Sequence, residues 1–359
     1  MKIKPNKIIP RDSWYTFCSM ASDNMNLLDT LGRPLKDLRI SVTDRCNFRC
    51  VYCMPKETFG PHHQYLERNE LLTYEEISRL VRILTNFGVS KVRLTGGEPL
   101  LRHDLEHLIE LLAPIPDVDL TLTTNASLLT PDMAHSLKTA GLGRITISLD
   151  SHHEAVFSSL NDVDFPVARV LDGIENASKA QLTPIKINMV VVRSVNADSI
   201  LPMARRFHGS GHILRFIEYM DVGATNGWIL DEVVTSEEII EMISYEMPLE
   251  PLKSDYPGEV AKRWRYKDGG GEIGVVSSVS QPFCGDCTRL RLSAEGKLYT
   301  CLFASNGHDL RPLLRNEASD DMIAKDIESL WRRRDDRYSE LRSAKTSDLQ
   351  KVEMSYIGG

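Results

Sequence analysis

Between Asp37 and Glu218 the chain alternates short apolar, β-branched runs with stretches whose apolar residues recur every three or four positions. That alternation restricts it to parallel strands joined by right-handed helical crossovers. Strands are expected at Leu38–Val42, Lys91–Thr95, Leu120–Thr124, Arg144–Leu149, Ile185–Val192 and Ile213–Glu218. Helices are expected at Tyr74–Asn86, Asp104–Ala113, Pro131–Ala140, Val167–Lys179 and Ser199–Phe207, and Thr73 before Glu75 and Glu76, like Thr130 before Pro131, is helix-start chemistry. About six such units are too few to close an eight-stranded barrel. The expected fold is therefore α/β, a partial (β/α)6 TIM-like barrel, with a smaller C-terminal α+β domain.

In barrels of this kind the functional loops gather at the C-terminal ends of the strands. Cys46, Cys50 and Cys53 follow the first strand, Gly96-Gly97-Glu98-Pro99 the second, Asn125 the third, Asp150 the fourth, Arg193 the fifth and Tyr219-Met220 the sixth. The pattern changes past Gly223: a helical Ser236–Tyr245, strand-like Lys262–Lys267 and Ile273–Val276, a second thiol group, and a helical Ala318–Arg333. The division expected is an extension over 1–36, the barrel over 37–222, a C-terminal domain over 223–344 and a tail over 345–359. Ser339–Lys351 reads as an exposed linker.

The chain has 359 residues, 42% of them hydrophobic, and a formal charge of -7. That charge argues against a nucleic-acid-binding surface, because its field repels phosphates. No apolar run is long enough to span a bilayer and the basic start lacks an apolar successor, so a cytoplasmic protein without membrane association is expected. Six of the seven cysteines form two compact groups, with Cys18 a spare thiol. This is no secreted disulfide framework, and a reducing compartment fits it.

The first group, Cys46, Cys50 and Cys53, has the spacing C-x3-C-x2-C. Three thiolates can hold an iron–sulfur cubane and leave one iron free for a ligand. A structural zinc site would need a fourth ligand, for which His62 and His63 are near. The spacing, with Tyr52 before the last cysteine, resembles the signature of the radical S-adenosylmethionine (SAM) enzymes. Glycines in Thr95-Gly-Gly-Glu-Pro99 admit a ligand's amine and carboxylate to the backbone, with Glu98 an anionic partner; alone the run is an ordinary turn. The second group, Cys284, Cys287 and Cys301, reads as a further cluster with its own open iron, or as a zinc knuckle completed by His308. Basic residues stand out against the acidic average: Arg39, Arg93, Lys186, Arg215, Arg289 and Arg291. Alternate strand residues share a face, so Arg289 and Arg291 project together, and converging guanidiniums suit a polyphosphate.

These motifs, together with K-V-R-L-T-G-G-E-P-L-L-R, Arg215-Phe-Ile-Glu218, F-C-x-x-C-x-R-L-R-L, G-K-L-x-x-C-L-F and the terminal Gly-Gly, resemble the GTP 3',8-cyclase family, which opens molybdenum cofactor biosynthesis. The resemblance runs from about Asp37 to the end. It implies that Cys46, Cys50 and Cys53 hold a SAM-cleaving [4Fe-4S] cluster, with Tyr52, Gly97, Ser148 and Met220 lining the SAM site. It implies that Cys284, Cys287 and Cys301 hold an auxiliary [4Fe-4S] cluster that meets the guanine. Arg39, Arg93, Thr123, Lys186, Arg215, Arg289, Leu290 and Arg291 match GTP-contacting positions, and Gly358 and Gly359 would enter the site. The implied reaction takes hydrogen from C3' of GTP with a 5'-deoxyadenosyl radical and closes the ribose onto C8. No residue is assigned as general acid or base. An electron donor such as flavodoxin or ferredoxin, a monomer or homodimer, and transfer of product to cyclic pyranopterin monophosphate synthase are also implied. Two departures are local: Asn125 is followed by Ala126, where the family commonly has glycine, and Ser148-Leu-Asp150 precedes Ser151-His-His in place of the family's more usual continuation.

Two rivals are a radical SAM peptide-maturing enzyme, since those also carry auxiliary clusters, and a zinc-binding interaction module. The paired arginines and glycine tail speak against the first. Metal content separates the second.

Overall fold

The computed structural model describes residues 27–256, 258–342 and 351–358; Cys18 and Gly359 lie outside them. Strands β1 (Asp37–Ser41), β2 (Lys91–Thr95), β3 (Asp119–Thr124), β4 (Arg144–Ser148), β5 (Lys186–Val191) and β6 (Ile213–Glu218) pair in parallel in chain order. Between them run α1 (Tyr74–Thr85), α2 (Leu105–Leu112), α3 (Pro131–Thr139), α4 (Glu154–Asn161), α5 (Val167–Lys179), α6 (Arg193–Asn196) and α7 (Ile200–Phe207). The partial barrel expected from the alternation is present.

Start signals in the sequence form as hydrogen bonds. Thr73 accepts from the Glu76 amide at 3.1 Å while Glu76 takes the Thr73 amide at 2.7 Å, satisfying two otherwise unpaired donors at the start of α1. Thr130 caps α3. Helix α4 was not expected: its start lacks a side-chain cap, and it buries only Phe157, Leu160 and Asn161.

Strand alternation fixes what fills the barrel. Leu38, Ile40, Val92, Leu94, Leu122, Ile145, Ile147, Ile187, Met189, Leu214 and Phe216 are buried in one core with the helices. The intervening positions, among them Arg39, Arg93, Thr123, Ser148, Lys186, Asn188 and Arg215, line an internal cavity instead. An ordinary barrel packs its interior with branched apolar side chains. Charged residues cannot be packed that way without partners.

The C-terminal part supplies α8 (Ser236–Glu246), β7 (Leu249–Pro251), β8 (Lys262–Tyr266), β9 (Glu272–Val276), β10 (Arg289–Leu292), β11 (Lys297–Tyr299), β12 (His308–Asp309), α9 (Arg311–Arg315), α10 (Asp320–Arg332) and α11 (Tyr338–Leu341). Its strands continue the same sheet, in the order β12-β11-β10-β1-β2-β3-β4-β5-β6-β9-β8-β7. Strand β9 adds parallel to β6 and β10 parallel to β1, so residues far apart in sequence extend both sides of the six-stranded arc. Ser339 and Lys351, the ends of the stretch expected to be an exposed linker, are both buried. Among the described residues no helix is long and apolar enough to cross a membrane.

Candidate active site

A cavity of about 850 Å³ occupies the barrel, and both cysteine triads line it. Cys46, Cys50 and Cys53 lie past the C-terminal end of β1. Cys284 and Cys287 precede β10, which runs parallel to β1 with Arg39 opposite Arg291. Cys301 follows β11, which returns antiparallel beside β10. Along the strand direction, therefore, the basic positions of β1 and β10 stand between the two thiol groups.

The first loop is fixed by its own main chain and by Arg49. Amides of Cys53 and Met54 donate to the Cys50 carbonyl at 2.9 and 2.8 Å. Arg49 donates to the carbonyls of Cys46 and Phe48, both at 2.7 Å, and to Phe59 at 2.8 Å. The glycines explain themselves sterically. A Cβ on Gly97 would lie 2.2 Å from the Arg45 carbonyl oxygen and one on Gly96 2.5 Å from that of Thr43, so the turn after β2 needs both to pack against the loop.

Glu98, expected as an anionic ligand partner, has protein donors on both oxygens: Thr124 Oγ1 at 2.6 Å and Leu100 N at 3.1 Å on one, Asn125 N at 2.7 Å on the other. Burial raises its pKa to about 7 against those bonds. It braces the loops after β2 and β3. Tyr52 donates to Asp150 at 2.6 Å, and burial lifts that carboxyl to about 6. Ser148 and Met220 border the same end of the cavity, with the Met220 carbonyl held by Asn226 at 2.9 Å. Ala126 adopts φ 58°, a left-handed conformation in which glycine carries no steric cost.

The basic residues stand in rows. Register places Arg291, Arg39 and Arg93 side by side on β10, β1 and β2, with Arg289, Asp37 and Lys91 forming the next row. Adjacent strands are only about 5 Å apart. Burial and then Arg289, Arg291 and Arg93 depress Arg39, while burial followed by Arg289 brings Arg291 to about 9. Asp37 is the nearby counter-charge: burial opposes its ionisation, but Arg289, Arg39 and Lys91 hold it well below the usual range. Nε of both Arg39 and Arg93 is buried without a protein acceptor. Arg93 reaches Thr123 Oγ1 at 3.2 Å, and Arg215 is paired with Asn188 Oδ1 at 2.9 and 2.6 Å. Burial and then Arg215 bring Lys186 to about 7. Such an excess of positive charge in a cavity is matched to a polyanion.

Leu290 sits between the two arginines of β10 with its side chain in the core, leaving only its backbone for a ligand. Gly358 is buried and accepts from Arg291, while Gly359 is outside the described residues. Lys91 and Asn188 also line the cavity, and the sequence reading passed over both. The signal was available, since each is two residues from a chosen position on its strand, Arg93 and Lys186.

Among the described residues, all six cysteines of the two triads are free of disulfides. Among the described residues no three His, Cys, Asp or Glu side chains close on a single-ion position. Each triad thus frames a space, and a soft all-sulfur donor set bordering a space suits a four-iron cluster held at three corners. Burial pushes the Cys46 and Cys301 thiols up to about 12. Thiols so placed ionise when a metal takes the charge. Burial would raise Cys287 too, but Arg289 and Arg334 hold it below its usual value.

A barrel of this kind, with three cluster-spaced thiols on the loop after its first strand, defines a radical SAM enzyme, and the Radical SAM superfamily profile matches residues 40–207. The profile described as Molybdenum Cofactor Synthesis C matches residues 212–340. The chain belongs to the GTP 3',8-cyclase family. It is 52% identical over 357 residues to GTP 3',8-cyclase of Acidothermus cellulolyticus, covering 92% of this chain and 98% of that protein. Identity is 50% over 332 residues to that of Xanthomonas axonopodis pv. citri and 45% over 336 residues to that of Staphylococcus aureus, each covering 92% of this chain and 98% of the relative. Among solved structures, Streptococcus suis SuiB bound to precursor peptide SuiA is similar with a TM-score of 0.59 over 86% of this chain and 67% of that one. At 16% identity that likeness is one of fold.

Proposed function

We propose that this cavity converts GTP to (8S)-3',8-cyclo-7,8-dihydroguanosine 5'-triphosphate, the first step of molybdenum cofactor biosynthesis. The observation that carries the reading is the placing of two three-thiol groups on one cavity with basic rows between them. Cys46, Cys50 and Cys53 would hold the cluster that binds SAM, and Cys284, Cys287 and Cys301 the auxiliary cluster. When bound, these groups supply the one-electron chemistry that opens SAM to a 5'-deoxyadenosyl radical and closes C3' of GTP onto C8.

The chain's own residues orient and enclose. Tyr52, Gly97, Ser148 and Met220 border SAM at the first triad. Arg39, Arg93, Arg289 and Arg291, with Lys91, Lys186, Arg215, Thr123 and the Leu290 backbone, receive the nucleotide and its triphosphate. Buried guanidiniums need no reorganisation to meet that charge, and a water-poor site strengthens each contact. Gly358 closes the wall beside Arg291. A small flavodoxin or ferredoxin would deliver electrons to the monomer or homodimer, and product would pass to cyclic pyranopterin monophosphate synthase. The basic rows favour this over a peptide substrate, which offers no comparable charge.

Anaerobically reconstituted protein given GTP, SAM and a reductant is expected to yield 5'-deoxyadenosine and the cyclised nucleotide. Deoxyadenosine formed equally without GTP, or GTP recovered unchanged, would overturn the reading.

A further inference from the structure

The segment just before the barrel carries a buried ion cluster. Asp29 Oδ2 accepts from Arg33 Nε at 2.6 Å and from Arg334 Nη1 at 3.0 Å. The side chains are 0% exposed for Asp29, 2% for Arg33 and 1% for Arg334. Its other oxygen takes the amides of Leu31 and Arg33, both at 2.9 Å. The two ends are locked reciprocally: Thr30 Oγ1 donates to the Arg334 carbonyl at 2.7 Å, and Trp331 Nε1 to that of Arg33 at 3.2 Å.

What the guanidiniums hold is specific. Arg33 Nη1 donates to the carbonyl of Cys284 at 2.8 Å. Arg334 donates to the carbonyl of Cys287 at 2.7 Å and to that of Thr300, the residue before Cys301, at 3.1 Å. One carboxylate thereby organises two guanidiniums that grip the backbone at or beside every cysteine of the second triad. Arg33 also lines the cavity, and its buried Nη2 has no protein acceptor. Asp336 Oδ2, partly exposed, also lies 3.4 Å from Arg334 Nε, so two carboxylates balance two guanidiniums, and what reaches the backbone of the triad is the guanidiniums' hydrogen-bond donors.

We propose that Asp29, Arg33 and Arg334 are positioning residues that pre-form the second three-cysteine site and bias the electron affinity of the cluster it holds. The inference rests on the cluster reading under Proposed function. Outer-shell groups of this kind orient ligands, and hydrogen bonds and charge around the sulfurs set cluster potentials. Removing the Asp29 carboxylate leaves Arg33 buried without an anion and Arg334 with only the partly exposed Asp336, so their grip on the backbone loosens.

The test isolates each site in the full-length chain. In a chain carrying Cys46→Ala, Cys50→Ala and Cys53→Ala, reconstitution should load about four irons on the second triad. Adding Asp29→Asn, which keeps shape and removes charge, should at least halve that iron and its reduced-state paramagnetic signal. Arg334→Lys, which keeps charge and loses the fork, should do the same and lower the midpoint potential of what remains. In the converse chain, with Cys284→Ala, Cys287→Ala and Cys301→Ala, Asp29→Asn should leave the first triad's iron unchanged. Full iron with an unaltered signal and potential in both variants overturns the proposal, as does equal loss at the first triad. Zinc on the second triad of the parent chain instead overturns the cluster reading itself.

Discussion

Arg291 donates from Nη1 to the carbonyl oxygen of Gly358, joining the end of the described chain to the row of guanidiniums across β10, β1 and β2. Gly358 has φ 73°, and a Cβ there would lie 2.3 Å from Thr95 Cγ2. Gly358→Ala must displace the tail from the wall. A shift worth about 1.4 kcal/mol in transition-state positioning costs tenfold in rate. Turnover of GTP is expected to fall at least about tenfold by that relation, with iron content and thermal midpoint unchanged. Undiminished turnover would remove the tail from the mechanism.

The tail is anchored at its other end by Asp221. This buried carboxylate accepts from Tyr338 Oη at 2.5 Å, Arg342 Nε at 2.9 Å and Lys351 Nζ at 3.0 Å, with Tyr338 stacked on Phe303 at 4.2 Å. Asp221→Ala leaves two cations without their partner, a loss of about 3 kcal/mol for a broken buried pair. Hydrogen exchange over 351–358 should accelerate strongly while the barrel strands stay protected. Equal acceleration in the strands would mean that Asp221 supports the whole fold and is no latch.

Lys186 and Lys91 line the cavity and are expected to give nucleotide binding a pH dependence of definite sign. Burial, then Arg215 for Lys186, brings that amine to about 7; burial leaves Lys91 at about 8 despite Asp37. A bound triphosphate favours the charged amine and raises both values, so protons are taken up on binding. Affinity for GTP should therefore fall as pH rises from 7 to 8.5, by about tenfold per unit for each proton taken up. Titration calorimetry in two buffers measures the uptake. Lys186→Met should reduce it by about one proton; an unaltered value would show that Lys186 does not meet the nucleotide.

Ala126 holds φ 58° in the loop after β3. The left-handed region costs an L-residue about 1–2 kcal/mol, of which glycine's greater unfolded-state entropy offsets up to about 1 kcal/mol. Ala126→Gly should stabilise the chain by up to about 1 kcal/mol in denaturant unfolding. A loss of stability would mean that the methyl's packing outweighs the strain.

Much of this was legible before any coordinates. Six strands and the helices α1, α2, α3, α5 and α7 follow from periodicity, with ends shifted by a residue or so where caps decide them. Both triads were readable from spacing because cluster ligation imposes it locally. Long-range register was not: nothing near Arg289 announces that it faces Asp37, so the row of Arg291, Arg39 and Arg93 emerges only when β10 joins β1. Lys91 and Asn188 were missed by choosing single basic residues over whole strand faces. Glu98, expected as an anionic partner for a ligand, lines the cavity and is also held by Thr124 and Asn125, contacts that its place beside glycines does not announce. Helix α4 escaped because it buries only Phe157, Leu160 and Asn161, too few apolar residues to mark a helical period.

The pairing of β10 with β1 bears on how the chain is made. Arg289 and Asp37 are 252 residues apart, so on a ribosome β1 is synthesised long before its outer neighbour exists. Until then a nascent barrel shows an unpaired parallel edge, and β6 lacks β9 on the other side. Such edges template association with other chains. Fragments ending before β9 should precipitate where the full chain does not, which makes the last third of the protein a built-in closure of the first two.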